Sequence, residues 1–110
     1  MYVNGEWLKE GPTFSVHNPA TGETLGEVFD GNAEHAQQAI KAAEQAQHSW
    51  AGETAYKRSE LLTRAHGLML ERQAALANLM TREQGKPLKA AMNEVKYAAD
   101  FLLWFAEEAK

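Results

Sequence analysis

Four histidines are the side chains of this chain best suited to acid–base or metal chemistry. They are spread along the sequence, and no two stand three or four residues apart, the separation that places two imidazoles on one face of a helix. The 110 residues include no cysteine, which excludes thiolate metal sites, disulfides and thiol nucleophiles within them. The sequence therefore predicts no metal site, and we expect exposed or helix-capping roles for the histidines His17, His35, His48 and His66.

The dipeptide Gly85-Lys86 resembles part of a phosphate-binding loop. Such a loop needs a second glycine five residues earlier and Ser or Thr after the lysine, but Met80 and Pro87 occupy those positions. The dinucleotide motif G-x-G-x-x-G and the nucleophile motif G-x-S-x-G do not occur. The adjacent pair Glu107-Glu108 would project about 100° apart on a helix and cannot face each other as acid and base. The sequence thus predicts no catalytic and no cofactor-binding residue.

Composition limits the partners that the chain is expected to have. The net charge is −4 and the basic residues are mixed with acidic ones, whereas nucleic acids and anionic membranes select clustered Lys and Arg. No apolar run approaches the roughly 20 residues that span a bilayer, and the first ten residues lack the apolar core of a signal peptide. We expect a protein without a nucleic-acid or membrane partner, which is either cytoplasmic or the mature form of an imported protein.

Residues 1–31 have the pattern of short β-strands joined by turns. Tyr2-Val3 and Glu6-Trp7 flank Asn4-Gly5, the strongest two-residue signal for a type I′ hairpin turn. Phe14 and Val16 alternate with polar neighbours, and the proline and glycine of residues 18–23 predict another turn before a strand over residues 24–29.

Residues 32–110 have helical periodicity. Asn32 predicts the start of a helix that Gly52 ends, with close packing along a stripe of Ala36, Ala39, Ile40, Ala43 and Trp50. A second helical stretch covers residues 54–84, divided either at Gly67 or at residues 71–73. Its predicted apolar face consists of Leu61, Leu62, Ala65, Leu68, Met69, Leu76, Leu79 and Met80. Gly85 predicts a helix end, and Pro87 the first turn of the last helix.

The last helix, residues 87–110, is apolar over most of its circumference. One stripe consists of Leu88, Ala91, Met92, Val95, Ala99, Leu102, Ala106 and Ala109, and aromatic side chains cover much of the remaining surface. Such a helix is expected to be buried on several sides, which four helices can hardly provide. Two explanations stay open: the covering surface belongs to sequence outside these 110 residues, or a small α+β domain dimerises through this helix.

Four blocks of residues, in order and at family-like spacing, resemble the N-terminal part of the aldehyde dehydrogenase superfamily. The last stretch, residues 94–108, is most similar to the succinate-semialdehyde dehydrogenase branch. The four blocks are Tyr2-Val3-Asn4-Gly5-Glu6-Trp7, Asn18-Pro19-Ala20-Thr21-Gly22-Glu23, Ala39-Ile40-Lys41-Ala42-Ala43 with Ala46, Trp50, Arg58 and Leu61-Leu62, and Glu83-Gln84-Gly85-Lys86-Pro87-Leu88 with Glu94.

The resemblance implies an α+β segment, residues 1–110, of the α/β cofactor-binding domain of a larger homo-oligomeric enzyme whose catalytic domain is absent here. It implies NAD- or NADP-dependent oxidation of an aldehyde to a carboxylic acid. In that family a cysteine thiolate attacks the aldehyde, and a glutamate-activated water releases the acid. Those residues lie outside this chain, so we expect the chain alone to bind no cofactor and to be inactive, with the remainder of such an enzyme as its partner. The alternative is a small helical interaction or dimerisation module without catalysis.

The resemblance also implies where substrate approaches. In such enzymes the last helix of this segment runs beside the substrate entrance, and alignment makes Tyr97, Phe101 and Trp104 the residues expected to line that tunnel. The alternative is that these rings pack in a core.

Overall fold

The computed structural model describes residues 1–110 as two β-hairpins followed by four helices, which confirms the predicted α+β class. None of the four helices has the length and apolar character needed to cross a lipid bilayer. In chain order the elements are β1 Tyr2–Val3, β2 Glu6–Trp7, β3 Thr13–His17, β4 Thr24–Phe29, α1 Ala33–Gly52, α2 Ala55–Glu71, α3 Gln73–Gln84 and α4 Leu88–Glu108.

The first hairpin has the turn that its sequence predicts. Asn4 and Gly5 both have positive φ, 52° and 84°, as a type I′ turn requires. The turn pairs Tyr2 with Trp7 across the two antiparallel strands, and their rings lie 5.2 Å apart.

The second hairpin pairs β3 with β4, and β4 covers the residues predicted for it. Its turn is stabilised at Asn18, whose side-chain oxygen accepts a hydrogen bond from the Ala20 backbone N–H at 3.0 Å. The Gly22 N–H donates to the Asn18 carbonyl at 2.8 Å, and Gly22 has the positive φ of 75° that glycine adopts without strain.

Helix α1 begins with a reciprocal cap. The Asn32 side chain accepts a hydrogen bond from the His35 backbone N–H, while the His35 ring accepts one from the Asn32 N–H, each at 3.1 Å. The predicted close packing along α1 is wrong, because no residue of this helix is buried and Ile40 is 68% exposed. Only His35, Ala39 and Ala42 of this helix are half-buried, and α1 contacts the first hairpin at β1.

The second helical stretch divides at Arg72, the later of the two predicted positions, and Gly67 lies inside α2. Its apolar face is only partly as predicted. Leu62, Ala65, Met69 and Met80 are half-buried, whereas Leu61, Leu68, Leu76 and Leu79 are exposed. The fully covered positions are instead the small residues Ser59 and Ala77, since small side chains let two helices approach closely.

Helix α4 packs against α2 and α3 through the stripe predicted for it. Ala91, Val95, Ala99 and Ala106 are buried on this side, although Leu88 at the beginning of the stripe is exposed. Met69, Met80 and Met92 fill the space around this contact. The Gln73 side-chain amide also donates a 2.9 Å hydrogen bond to the Met92 carbonyl, which ties the start of α3 to α4.

Gly85 joins the helices to the second hairpin. It ends α3 in the left-handed conformation, with φ of 73°, and its N–H donates to the Thr81 carbonyl at 2.9 Å. A Cβ at this position would lie 3.2 Å from the Pro19 side chain. Pro87 precedes the next helix with an extended ψ of 133°, so α4 begins at Leu88, one residue later than predicted.

We expect Gly85→Ala to lower the free energy of unfolding by about 1–2 kcal/mol, because alanine is strained at positive φ and its methyl group would press on Pro19. Gly67→Ala is the matched control, since Gly67 lies in a helix with open space around it. That change should raise stability by about 0.5–1 kcal/mol. Urea unfolding followed by far-UV circular dichroism measures both. Equal free energies of unfolding for the two variants would contradict the strain expected at Gly85.

Candidate functional site

Three aromatic side chains form one continuous face of α4 on the side away from the core. They are Tyr97, Phe101 and Trp104, whose i, i+4, i+7 spacing aligns them along the helix. The Tyr97 and Phe101 rings meet edge-on, with centroids 4.8 Å apart. Their exposed fractions are 64%, 47% and 65% in chain order. The structure thus brings together the three predicted tunnel residues, named here the aromatic face, and none of them lies in the core of this chain.

Two open hollows lie along the aromatic face. The larger, of about 520 Å³, is lined by Asn93, Glu94, Tyr97, Ala98 and Phe101. The smaller, of about 190 Å³, is lined by Tyr97, Asp100, Phe101 and Trp104. A small-molecule site normally encloses most of its ligand, whereas every residue of these hollows comes from one helix. The aromatic face is therefore open, and a ligand would be enclosed there only if other elements covered it.

Both acidic side chains that line the hollows are paired with cations. The Lys96 ammonium lies 2.6 Å from one carboxylate oxygen of Asp100, and His66 Nε2 on α2 lies 3.9 Å from the other. Glu94 pairs with Lys86 at the start of the turn before α4. The hollows consequently combine aromatic walls with acidic groups whose charges are balanced.

Three of the four histidines are exposed or cap a helix, as the sequence predicts, and His66 does neither. His35 caps α1 as predicted, His17 lies 3.3 Å from the Thr24 hydroxyl, and His48 is exposed. His66 is neither exposed nor a cap: its side chain is 17% exposed and lies beside α4. No three His, Cys, Asp or Glu side chains lie close enough together to hold a metal ion.

Asp100 and His66 are the residues of this site that the sequence prediction missed. The i, i+4 spacing of Lys96 and Asp100 is a recognisable signal for an ion pair on a helix. The approach of His66 to Asp100 has no such signal, because it depends on how α2 packs against α4.

The chain exposes more surface than a self-contained protein of its size. Its accessible surface is 8274 Å², whereas a compact monomer of 12.2 kDa exposes about 6,100 Å². Its radius of gyration is 17.0 Å, against about 13 Å for a compact domain of this length. The aromatic face and the open side of α1 account for part of this excess, so the molecule is a scaffold with uncovered apolar surfaces.

Residues 7–110 match the sequence profile of the aldehyde dehydrogenase family, and the chain belongs to that family. It is 51% identical over 99% of its length to the glutarate-semialdehyde dehydrogenase of Pseudomonas putida. It is 47% identical over 98% of its length to the succinate-semialdehyde dehydrogenase [NADP(+)] of Escherichia coli.

The solved structures have the same arrangement of elements. The crystal structure of succinate-semialdehyde dehydrogenase from Burkholderia pseudomallei superposes with a TM-score of 0.92 and 44% identity, over 97% of this chain and 23% of that one. The chain likewise spans 23% of the length of both curated relatives. The family resemblance predicted from the sequence is therefore confirmed.

We expect the aromatic face to bind a dye for apolar surfaces such as ANS. The double variant Phe101→Gln/Trp104→Gln should lower dye fluorescence about twofold, because it removes two of the four exposed aromatic rings of α4. Tyr56→Gln, which removes one highly exposed ring from α2, serves as the control and should leave fluorescence nearly unchanged. An equal fall in both proteins would argue against a single apolar patch on α4.

Proposed function

We propose that this chain supplies the N-terminal segment of the cofactor-binding domain of an NAD(P)-dependent semialdehyde dehydrogenase. The substrate class is an aldehyde whose other end carries a carboxylate, oxidised to the dicarboxylic acid. The observation that carries this proposal is identity of 47–51% over nearly the whole chain to two enzymes named for such substrates. Homo-oligomeric assembly stays a prediction from the family resemblance, and cytoplasmic location stays a prediction from the amino-acid sequence.

In this function, the role of the chain is to form one wall of the substrate entrance. The aromatic face supports that role, because its three rings offer apolar contact to the carbon chain of an aldehyde. The hollows add room for a small molecule along the same side of α4. The buried stripe Ala91–Ala106 holds α4 from behind, so the rings are carried on a rigid element.

The chemistry itself must come from other residues of such an enzyme. The 110 residues include no cysteine for the covalent step and no glycine-rich dinucleotide motif. We therefore expect the chain alone to bind neither NAD nor NADP and to oxidise no aldehyde.

The first test compares the chain alone with a graft. The purified chain, mixed with glutarate semialdehyde and either NAD⁺ or NADP⁺, should give no sustained rise in absorbance at the wavelength of the reduced nicotinamide. The graft replaces the matching N-terminal segment of the Pseudomonas putida enzyme with residues 1–110. Because the two segments are 51% identical, the graft should keep kcat/KM within about tenfold of the parent, or about 1.4 kcal/mol.

Three outcomes would contradict the proposal. Turnover by the chain alone would show that catalytic residues are present within it. An inactive graft would show that the segment does not fit the enzyme. A compact, cooperatively unfolding dimer of the chain in sedimentation and thermal melts would favour the helical interaction module instead.

The second test concerns the aromatic face. In the active graft, Trp104→Ala should raise KM for the aldehyde about three- to tenfold while kcat changes less than twofold, since the ring offers binding contact and no chemistry. Tyr56→Ala, which removes an even more exposed aromatic ring from α2, should leave both constants unchanged. If Trp104→Ala and Tyr56→Ala changed kcat and KM by the same factors, Trp104 would not contact the substrate.

A further inference from the structure

Asp100 is the one charged residue that lines the smaller hollow of the aromatic face. One oxygen of its carboxylate accepts a 2.6 Å hydrogen bond from the Lys96 ammonium of α4, and the other lies 3.9 Å from His66 Nε2 of α2. Lys96 is therefore the direct partner of Asp100, because a separation of 3.9 Å is too long for a hydrogen bond. Asp100 places a negative charge beside Phe101 and Trp104, where a substrate is proposed to pass.

An unbalanced carboxylate at this place would oppose the proposed substrates. A semialdehyde of a dicarboxylic acid carries one negative charge at neutral pH, and like charges a few ångströms apart repel even in water. Lys96 offsets the charge of Asp100, and Lys86 does the same for Glu94 at the larger hollow. Each acidic residue of the wall thus has its own lysine, and the aromatic face as a whole carries no net charge from these two pairs.

We propose that Lys96 is a specificity-determining residue: it masks Asp100 so that aldehydes with an anionic tail can approach along the aromatic face. The role rests on the proposed function, since it requires the aromatic face to lie on the path of the substrate. Lys96 and Asp100 then set the preference between charged and neutral aldehydes without taking part in the oxidation.

The experiment uses the graft in the Pseudomonas putida enzyme and varies the charge of the wall in steps. Lys96→Met leaves the Asp100 charge unbalanced, Asp100→Asn leaves a net positive charge, and Lys96→Met/Asp100→Asn is neutral again. KM is measured for glutarate semialdehyde and for pentanal, an aldehyde of the same chain length without the carboxylate. The ratio of the two KM values isolates the effect of charge from any general effect on the fold.

We expect Lys96→Met to raise the KM ratio, glutarate semialdehyde over pentanal, about threefold, and Asp100→Asn to lower it by a similar factor. The double variant should restore the ratio of the unmodified graft. High ionic strength should shrink both changes. Lys89→Met is the control, because it removes the same charge from the same helix. Lys89 lies about 16 Å from Asp100 along the helix axis and lines neither hollow.

The inference is overturned if the KM ratio stays constant across the series, or if Lys89→Met changes it as much as Lys96→Met. A parallel loss of activity toward both aldehydes would also overturn it, since a purely structural pair has that effect. An unmodified graft without activity would remove the proposed function and this inference together. An active graft with an unchanged ratio would remove the inference alone.

Discussion

The close packing of α4 against α2 and α3 is the interaction on which the rest of the structure depends. The buried side of α4 is built from alanines and one valine, and Ser59 and Ala77 on the facing helices are equally small. Small residues permit close contact but bury little area each. Met92 packs beside this contact, whereas most of the other large apolar side chains of α4, among them Tyr97, Phe101 and Trp104, are exposed. The contact of α4 with α2 and α3 therefore also determines which residues of α4 face outward.

A core of this kind leaves the molecule thin in one dimension. Its principal extents are 48 × 36 × 17 Å, and only six of the 110 residues are buried, none of them a large side chain. Hydrophobic burial normally offsets the conformational entropy lost on folding. Here much of the apolar area that would do so remains on the surface, at the aromatic face and at Ile40 of α1. Surfaces of that character are typical of elements that other parts of an enzyme cover.

The features predicted correctly from the sequence are those that a few neighbouring residues determine. The turn at Asn4-Gly5, the cap at Asn32 and the left-handed end at Gly85 each depend on local backbone geometry, so their positions were predicted closely. The periodicity of α1 showed which side of the helix is apolar, but it does not say whether anything covers that side. The prediction of a core face is wrong for four leucines of α2 and α3 for a related reason: the contact with α4 is made by smaller residues on these helices. The family was predicted from several short blocks in register, where the chemistry of individual residues had indicated no reaction at all.

The candidate site divides in the same way between local and long-range information. Helical spacing alone places Tyr97, Phe101 and Trp104 on one side of α4, and it also pairs Lys96 with Asp100. The position of His66 beside that pair arises only when α2 packs on α4. A wall of this composition can select a substrate but cannot transform it, because rings and balanced ion pairs provide contact and electrostatic preference without a nucleophile. Within the proposed enzyme this segment would therefore influence which aldehydes reach the site of oxidation, while the rate of the chemical step would be set by residues on other elements.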